Sequence, residues 1–229
     1  MLSKAIGAEF REVADREWDG KAAKAVVAAR VYDTDPEDLW DALTNAERIP
    51  RWFSPVTGDL KLGGRYQVQG NAGGTILRCE PPRALDLSWE FGGGVSWVTL
   101  RLAPDGEGAR LTLEHIVLAA DLDGEHWRKF GPAAVGVGWD LSFLGLGRHF
   151  ENGAARPPEA DPAWAISDAG KAFMRASAEA WAAAHPTVKA VNFFDSISPR
   201  GYDFRLIANP ALLTAFTNLG QQAYMRAMP

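Results

Sequence analysis

WRKFGPAAVGVGWDLSFLGLGRHF, residues 127–150, is the stretch from which the fold is read. Between Gly131 and Gly147 only Asp140 and Ser142 are polar, so a helix here is buried around most of its circumference. It nevertheless carries Gly131, Gly136, Gly138, Gly145 and Gly147, and each interior glycine costs a helix about 1 kcal/mol relative to alanine. Such a stripe has a spatial reason. Faces without Cβ atoms let a sheet approach closely, or they leave one wall of a ligand cavity. A membrane span is excluded, because the apolar run falls short of the roughly 20 residues required and Asp140 sits near its middle.

Upstream of this helix the hydrophobic period is two. Ala84–Phe91 sets Leu85, Leu87, Trp89 and Phe91 on one face and Asp86, Ser88 and Glu90 on the other. Gly92-Gly93-Gly94 leads into a strand at 95–102, and Pro104-Asp105-Gly106 leads into another at 110–118. Residues 65–69 and 75–80 flank a glycine-rich connection, and the valine-rich run 24–32 reads as the first strand. About six or seven antiparallel strands are expected, with one face for a core. After the first strand, Asp33-Thr34-Asp35-Pro36 supplies an N-cap and an N1 proline for a helix carrying Leu39, Trp40 and Leu43. A second short helix carries Ile49, Trp52 and Phe53. Beyond the glycine-rich helix, residues 161–185 read as a helix broken near Gly170 and closed by Pro186.

A strand, two short helices, a strand meander and a long helix together describe an α+β helix-grip fold, a curved antiparallel sheet around a long helix. Residues 31–53 (VYDTDPEDLWDALTNAERIPRWF) resemble the signature of the START-like SRPBCC superfamily, in particular the branch homologous to the activator of the heat-shock-protein-90 ATPase. Leu60–Gly64 (LKLGG) and Gly138-Trp139 are similar to the same pattern, whereas Asn45-Ala46 stands where that branch often has Asp-Pro. The resemblance covers roughly residues 12–184. One domain is expected over 1–186, including an inserted helical segment at about 155–186; residues 187–229 lie outside the resemblance, and their shifted composition reads as a C-terminal extension that ends in a helix. Many superfamily members hold lipid-, steroid- or polyketide-sized ligands and a few are catalysts, so the fold alone supplies no function.

Composition narrows the partners. At 229 residues and 47% hydrophobic, with nine tryptophans, the chain has ample material for a core. The net charge of −5 argues against nucleic acid and anionic membrane surfaces. Cys79 is the only cysteine, so no internal disulfide forms. The charged N-terminus has no apolar signal-peptide core, and a cytoplasmic location is expected.

No Ser-His-Asp context, P-loop or Cys/His metal spacing is present, so neither metal nor cofactor is expected. Gly92-Gly93-Gly94 joins two strands and reads as a hairpin turn. His115 shares strand parity with Leu111, Leu113 and Val117 and should face inward. A lone histidine on an apolar face is more commonly a core residue than a catalyst. A catalytic role would require a carboxylate partner, for which Asp140 is the candidate; pointing inward it needs a donor such as His115 or Arg78, and on an exposed stripe with Arg148 it is merely solvated. Arg78 shares the parity of Ile76 and would reach the interior only with an anion to meet it. Trp52, Phe53, Tyr66, Trp89, Phe91, Trp97 and Trp139 supply aromatic surface for an apolar pocket.

Three functions follow in order: binding of a small hydrophobic or aromatic molecule, a cyclase-, dehydratase- or hydrolase-type enzyme using His115 and Asp140, and a co-chaperone. The last is ranked lowest because the helix-grip region starts close to residue 1, which leaves no room for the separate N-terminal domain of the eukaryotic activators. The closing helix, capped by Asn209, carries Leu212, Leu213, Phe216 and Leu219 and must dock, either in cis or by exchange in a homodimer.

Overall fold

The computed structural model describes residues 7–122, 134–153, 164 and 167–184. Eight antiparallel strands form one sheet: β1 (Phe10–Trp18), β2 (Lys21–Tyr32), β3 (Val56–Gly58), β4 (Arg65–Val68), β5 (Gly73–Glu80), β6 (Ala84–Phe91), β7 (Gly94–Asp105) and β8 (Gly108–Leu118). Their order across the sheet is β1-β2-β8-β7-β6-β5-β4-β3, so the meander β3 to β8 returns to lie beside β2. The count exceeds the six or seven expected from sequence. The short edge strand β3 has too few residues to alternate. Strand β1 hides its period because Arg11, Glu12, Asp15, Arg16 and Glu17 fall on both faces. Its signal lies in the turn, where Asp19 and Gly20 both adopt positive φ and close a two-residue hairpin. Gly92 and Gly93 do the same between β6 and β7.

Helix α1 (Pro36–Thr44) begins where its sequence demands, with the Asp35 carboxylate accepting from the Asp38 amide at 2.7 Å and Pro36 in the first turn. The second short helix is a single 3₁₀ turn, Ile49–Arg51. Helix α2 (Ala134–Asn152) is the described part of the glycine-rich helix. Helix α3 (Asp168–Ala184) starts two residues before Gly170, so the interruption expected near that glycine falls at Ser167, whose hydroxyl accepts from the Gly170 amide at 3.1 Å. The expected helical turns at 127–133 and the extension 187–229, with its dimer contact, lie outside the described residues.

The core occupies one face of the sheet. Val26, Ala28, Val98, Leu100, Leu111 and Leu113 from the central strands meet Leu39 and Ala42 of α1, Phe143 and Leu146 of α2, and Phe173 and Trp181 of α3. A smaller cluster of Ala14, Ala23, Ala25, Val27 and Ile116 lies on the opposite face beneath Trp18 and Trp97, whose rings stack at 5.3 Å.

Close approach accounts for three glycines of α2. A Cβ on Gly145 would lie 2.5 Å from the Trp52 carbonyl oxygen, one on Gly136 2.4 Å from the Trp181 ring, and one on Gly147 3.0 Å from the Arg30 guanidinium. Gly138 alone has open space around it. Gly145→Ala should therefore destabilise the chain by about 1–3 kcal/mol through overpacking against backbone. Gly138→Ala should stabilise it by up to about 1 kcal/mol through helix propensity. Urea unfolding of the two variants tests this, and shifts of the same sign would refute the assignment.

Candidate functional site

A cavity of about 260 Å³ lies between the inner face of the sheet, helix α1, the 3₁₀ turn and α2. It lies just below the roughly 300–1,000 Å³ range of small-molecule sites. Leu100 and Leu113 form part of its floor, Phe143 and Leu146 its roof, and Trp40 and Leu43 of α1 one side. Four polar side chains of the wall are already engaged. Trp52 Nε1 donates to the Ala42 carbonyl at 2.9 Å, and the Tyr66 hydroxyl donates to the Ser88 carbonyl at 2.8 Å. Thr44 and Ser142 donate back to the carbonyls one helical turn earlier, on Trp40 and Gly138. Burial pushes the Tyr66 hydroxyl pKa far up, so it stays protonated. The surface left for a guest is therefore mainly apolar and aromatic.

Trp89 and Trp139 close part of this wall, with ring centroids 5.3 Å apart. Behind them His115 sits edge-on to both rings and is 5% exposed. Trp139 Nε1 donates to His115 Nδ1 at 3.1 Å. An indole nitrogen only donates, so Nδ1 must be the accepting nitrogen and the ring proton resides on Nε2. Nε2 faces the Ser96 hydroxyl at 2.8 Å, which in turn donates to the Trp89 carbonyl at 3.2 Å. Burial pushes the His115 pKa down to about 4, so the ring is neutral near pH 7.

The other candidates divide. Trp52 and Phe53 line the cavity side by side, with centroids 5.4 Å apart. Arg48 holds the turn that presents them, donating to the Asp38 and Asp41 carboxylates and to His149 Nε2. Phe91, at the tip of the β6–β7 hairpin, is 59% exposed and does not line the cavity. Trp97 faces the other side of the sheet. Arg78 is exposed and paired with Glu80 at 2.8 Å, not inward as its parity with Ile76 implied. A bulge between Ile76 and Arg78 breaks the alternation and turns Cys79 into the cavity in its place.

Asp140 corrects the sequence reading more deeply. Its carboxylate is fully buried but meets neither His115 nor Arg78, and it is not on an exposed stripe with Arg148. It accepts from the Ala8 amide at 2.8 Å, from Arg11 through Nε at 3.0 Å and Nη2 at 2.9 Å, from Ser177 at 2.5 Å and from Trp181 Nε1 at 3.1 Å. Burial pushes its pKa up, and Arg11, Ser177 and the Ala8 amide pull against that. His115 and Asp140 are thus committed to different partners, and no group of three or more His, Cys, Asp or Glu side chains able to hold a metal occurs among the described residues. Also among these residues, no helix is long and apolar enough to cross a membrane.

Two stability measurements follow. The folded His115 ring titrates near 4, and its ordinary value is 6.5. The folded chain therefore binds fewer protons between these values, and the neutral ring's contribution is complete above pH 6.5 and lost as pH falls toward 4. This amounts to up to roughly 3 kcal/mol. Urea midpoints at pH 7.0 and pH 4.5 should differ more in the wild type than in His115→Asn, and equal differences would contradict a buried neutral ring. Asp140→Ala strands buried donors from Ala8, β1 and α3 and should cost about 3–5 kcal/mol in urea unfolding. A loss below about 1 kcal/mol, the worth of an exposed pair, would refute the clasp.

Residues 33–151 match the family described as Activator of Hsp90 ATPase homolog 1-like protein. The crystal structure of CalU16 from Micromonospora echinospora is 34% identical, with 76% of this chain and 96% of that one covered and a TM-score of 0.59. Its solution structure is 35% identical, covering 76% and 93%, with a TM-score of 0.62. EF2215 from Enterococcus faecalis shares the fold at 13% identity, covering 80% and 95%, with a TM-score of 0.52. No curated protein sequence matches the chain. With the eight-stranded sheet wrapped on α2 and a family match over more than half its length, the chain belongs to the Activator of Hsp90 ATPase homolog 1-like family, within the START-like SRPBCC superfamily.

Proposed function

We propose that the chain binds a small, uncharged aromatic or hydrophobic molecule in the cavity between the sheet and α2. The carrying observation is an apolar cavity of about 260 Å³ whose hydroxyl and indole donors on Thr44, Ser142, Tyr66, Trp52 and Trp139 are already engaged. A guest rich in polar groups would lose its hydration there without compensation. A flat apolar guest would gain contact with Trp52, Phe53, Trp89 and Trp139. The enzyme alternative depended on His115 and Asp140 acting together. Their separate commitments to Trp139 and Ser96, and to Arg11, Ser177 and Trp181, favour binding over turnover. A co-chaperone role comes third, supported by the family description alone.

Cys79 makes the reading testable, because the only thiol in the chain lies in the cavity wall. N-Phenyl-1-naphthylamine should fluoresce on binding and slow alkylation of Cys79 by N-ethylmaleimide about ten-fold at saturation, as 90% occupancy requires. Native mass spectrometry of freshly purified protein should show a retained small molecule or a stoichiometric complex with the probe. Unchanged alkylation together with no complex would overturn the proposal.

A further inference from the structure

We infer that His115 is a positioning residue that fixes the end wall of the cavity, and so selects guests by length, by holding the Trp139 indole through its Nδ1. This rests on the binding role proposed above and deepens it. Trp139 is half-buried on α2, and Trp89 stands opposite it on β6. The two rings line the cavity, and His115 lies behind them on β8, outside the lining. A half-buried indole has room to turn about its side-chain bonds. The bond to Nδ1 is the directional contact that ties this one to the sheet.

The hydrogen bonds behind that contact run in one direction. Trp139 donates to His115, Nε2 of His115 donates to Ser96, and Ser96 donates to the main chain of Trp89. Every link has one donor and one acceptor, so the tautomer is determined and the ring cannot offer its lone pair to a guest. Val26 and Val98 lie directly across the strands from His115, and no charged side chain faces the ring among these neighbours. The network therefore sets geometry without adding charge. Trp89 and Trp139 are held together in the cavity wall, and on this inference a guest longer than the cavity enters only by breaking the Trp139–His115 bond.

The test uses two probes of different length on the full chain, naphthalene and N-phenyl-1-naphthylamine. His115→Phe keeps a planar ring but removes the acceptor, whereas His115→Asn offers Oδ1 close to the position of Nδ1. The ratio of the two dissociation constants should shift about ten-fold toward the longer probe in His115→Phe, the scale of one lost hydrogen bond. It should stay within about two-fold of wild type in His115→Asn. In parallel, the Trp139 indole N–H should exchange slowly with solvent in the wild type and the Asn variant and rapidly in the Phe variant, a signature that general destabilisation would not confine to one indole. Trp139→Phe removes the donor instead and should reproduce the ratio shift, which keeps the test available where His115→Phe does not fold. An unchanged ratio in His115→Phe or Trp139→Phe overturns the inference, as does an Asn variant that behaves like Phe. If the wild type binds neither probe, the binding role itself fails and the length selection falls with it. That outcome is distinct from binding at an unchanged ratio.

Discussion

A carboxylate taken fully out of water has to be met by donors from every side. Asp140 meets that condition by gathering its donors from distant parts of the chain. Ala8 and Arg11 come from the start of the sheet, and Ser177 and Trp181 from α3, while the acceptor sits on the core helix α2. The unpaired carboxylate would be prohibitive in an apolar core, so these elements must arrive together. β1 and α3 lie outside the span that carries the family match, 33–151, and one side chain within that span binds both. The cooperative unit is therefore larger than the family region.

The glycines of α2 stand apart from the cavity. Gly136 lets Trp181 press against α2 on the α3 side, and Gly145 brings the Trp52 carbonyl against the opposite half of the helix. The glycines serve contact, and the empty space lies elsewhere, beneath Trp139, Ser142, Phe143 and Leu146. Helix α2 is thus in close contact with α3 and with the 3₁₀ turn at these glycines, while Trp139, Ser142, Phe143 and Leu146 of the same helix border the cavity.

Much of this was legible before any coordinates. Ala84–Phe91 alternated cleanly enough to assign its inner face as far as Trp89, and Asp35-Pro36 marked the start of α1. The parity of His115 placed it inside, but parity says nothing about partners, and its bond to Trp139 depends on how α2 is rotated over the sheet. The sequence marks Asp140 as anomalous but not its partners, which lie on a strand concealed by charge and on a helix 37 to 41 residues downstream. Arg78 was misplaced because a bulge leaves no mark in a period-two pattern.

That bulge has a consequence for how such a pocket diversifies. Leu77 and Arg78 both point to solvent between inward-facing Ile76 and Cys79, so one surplus residue decides whether a thiol or a guanidinium enters the wall. Moving the surplus to the other side of Arg78 would exchange the two. A one-residue insertion on one side of a position and a deletion on the other can thus change the polarity of a binding site with almost no change in the composition of the chain.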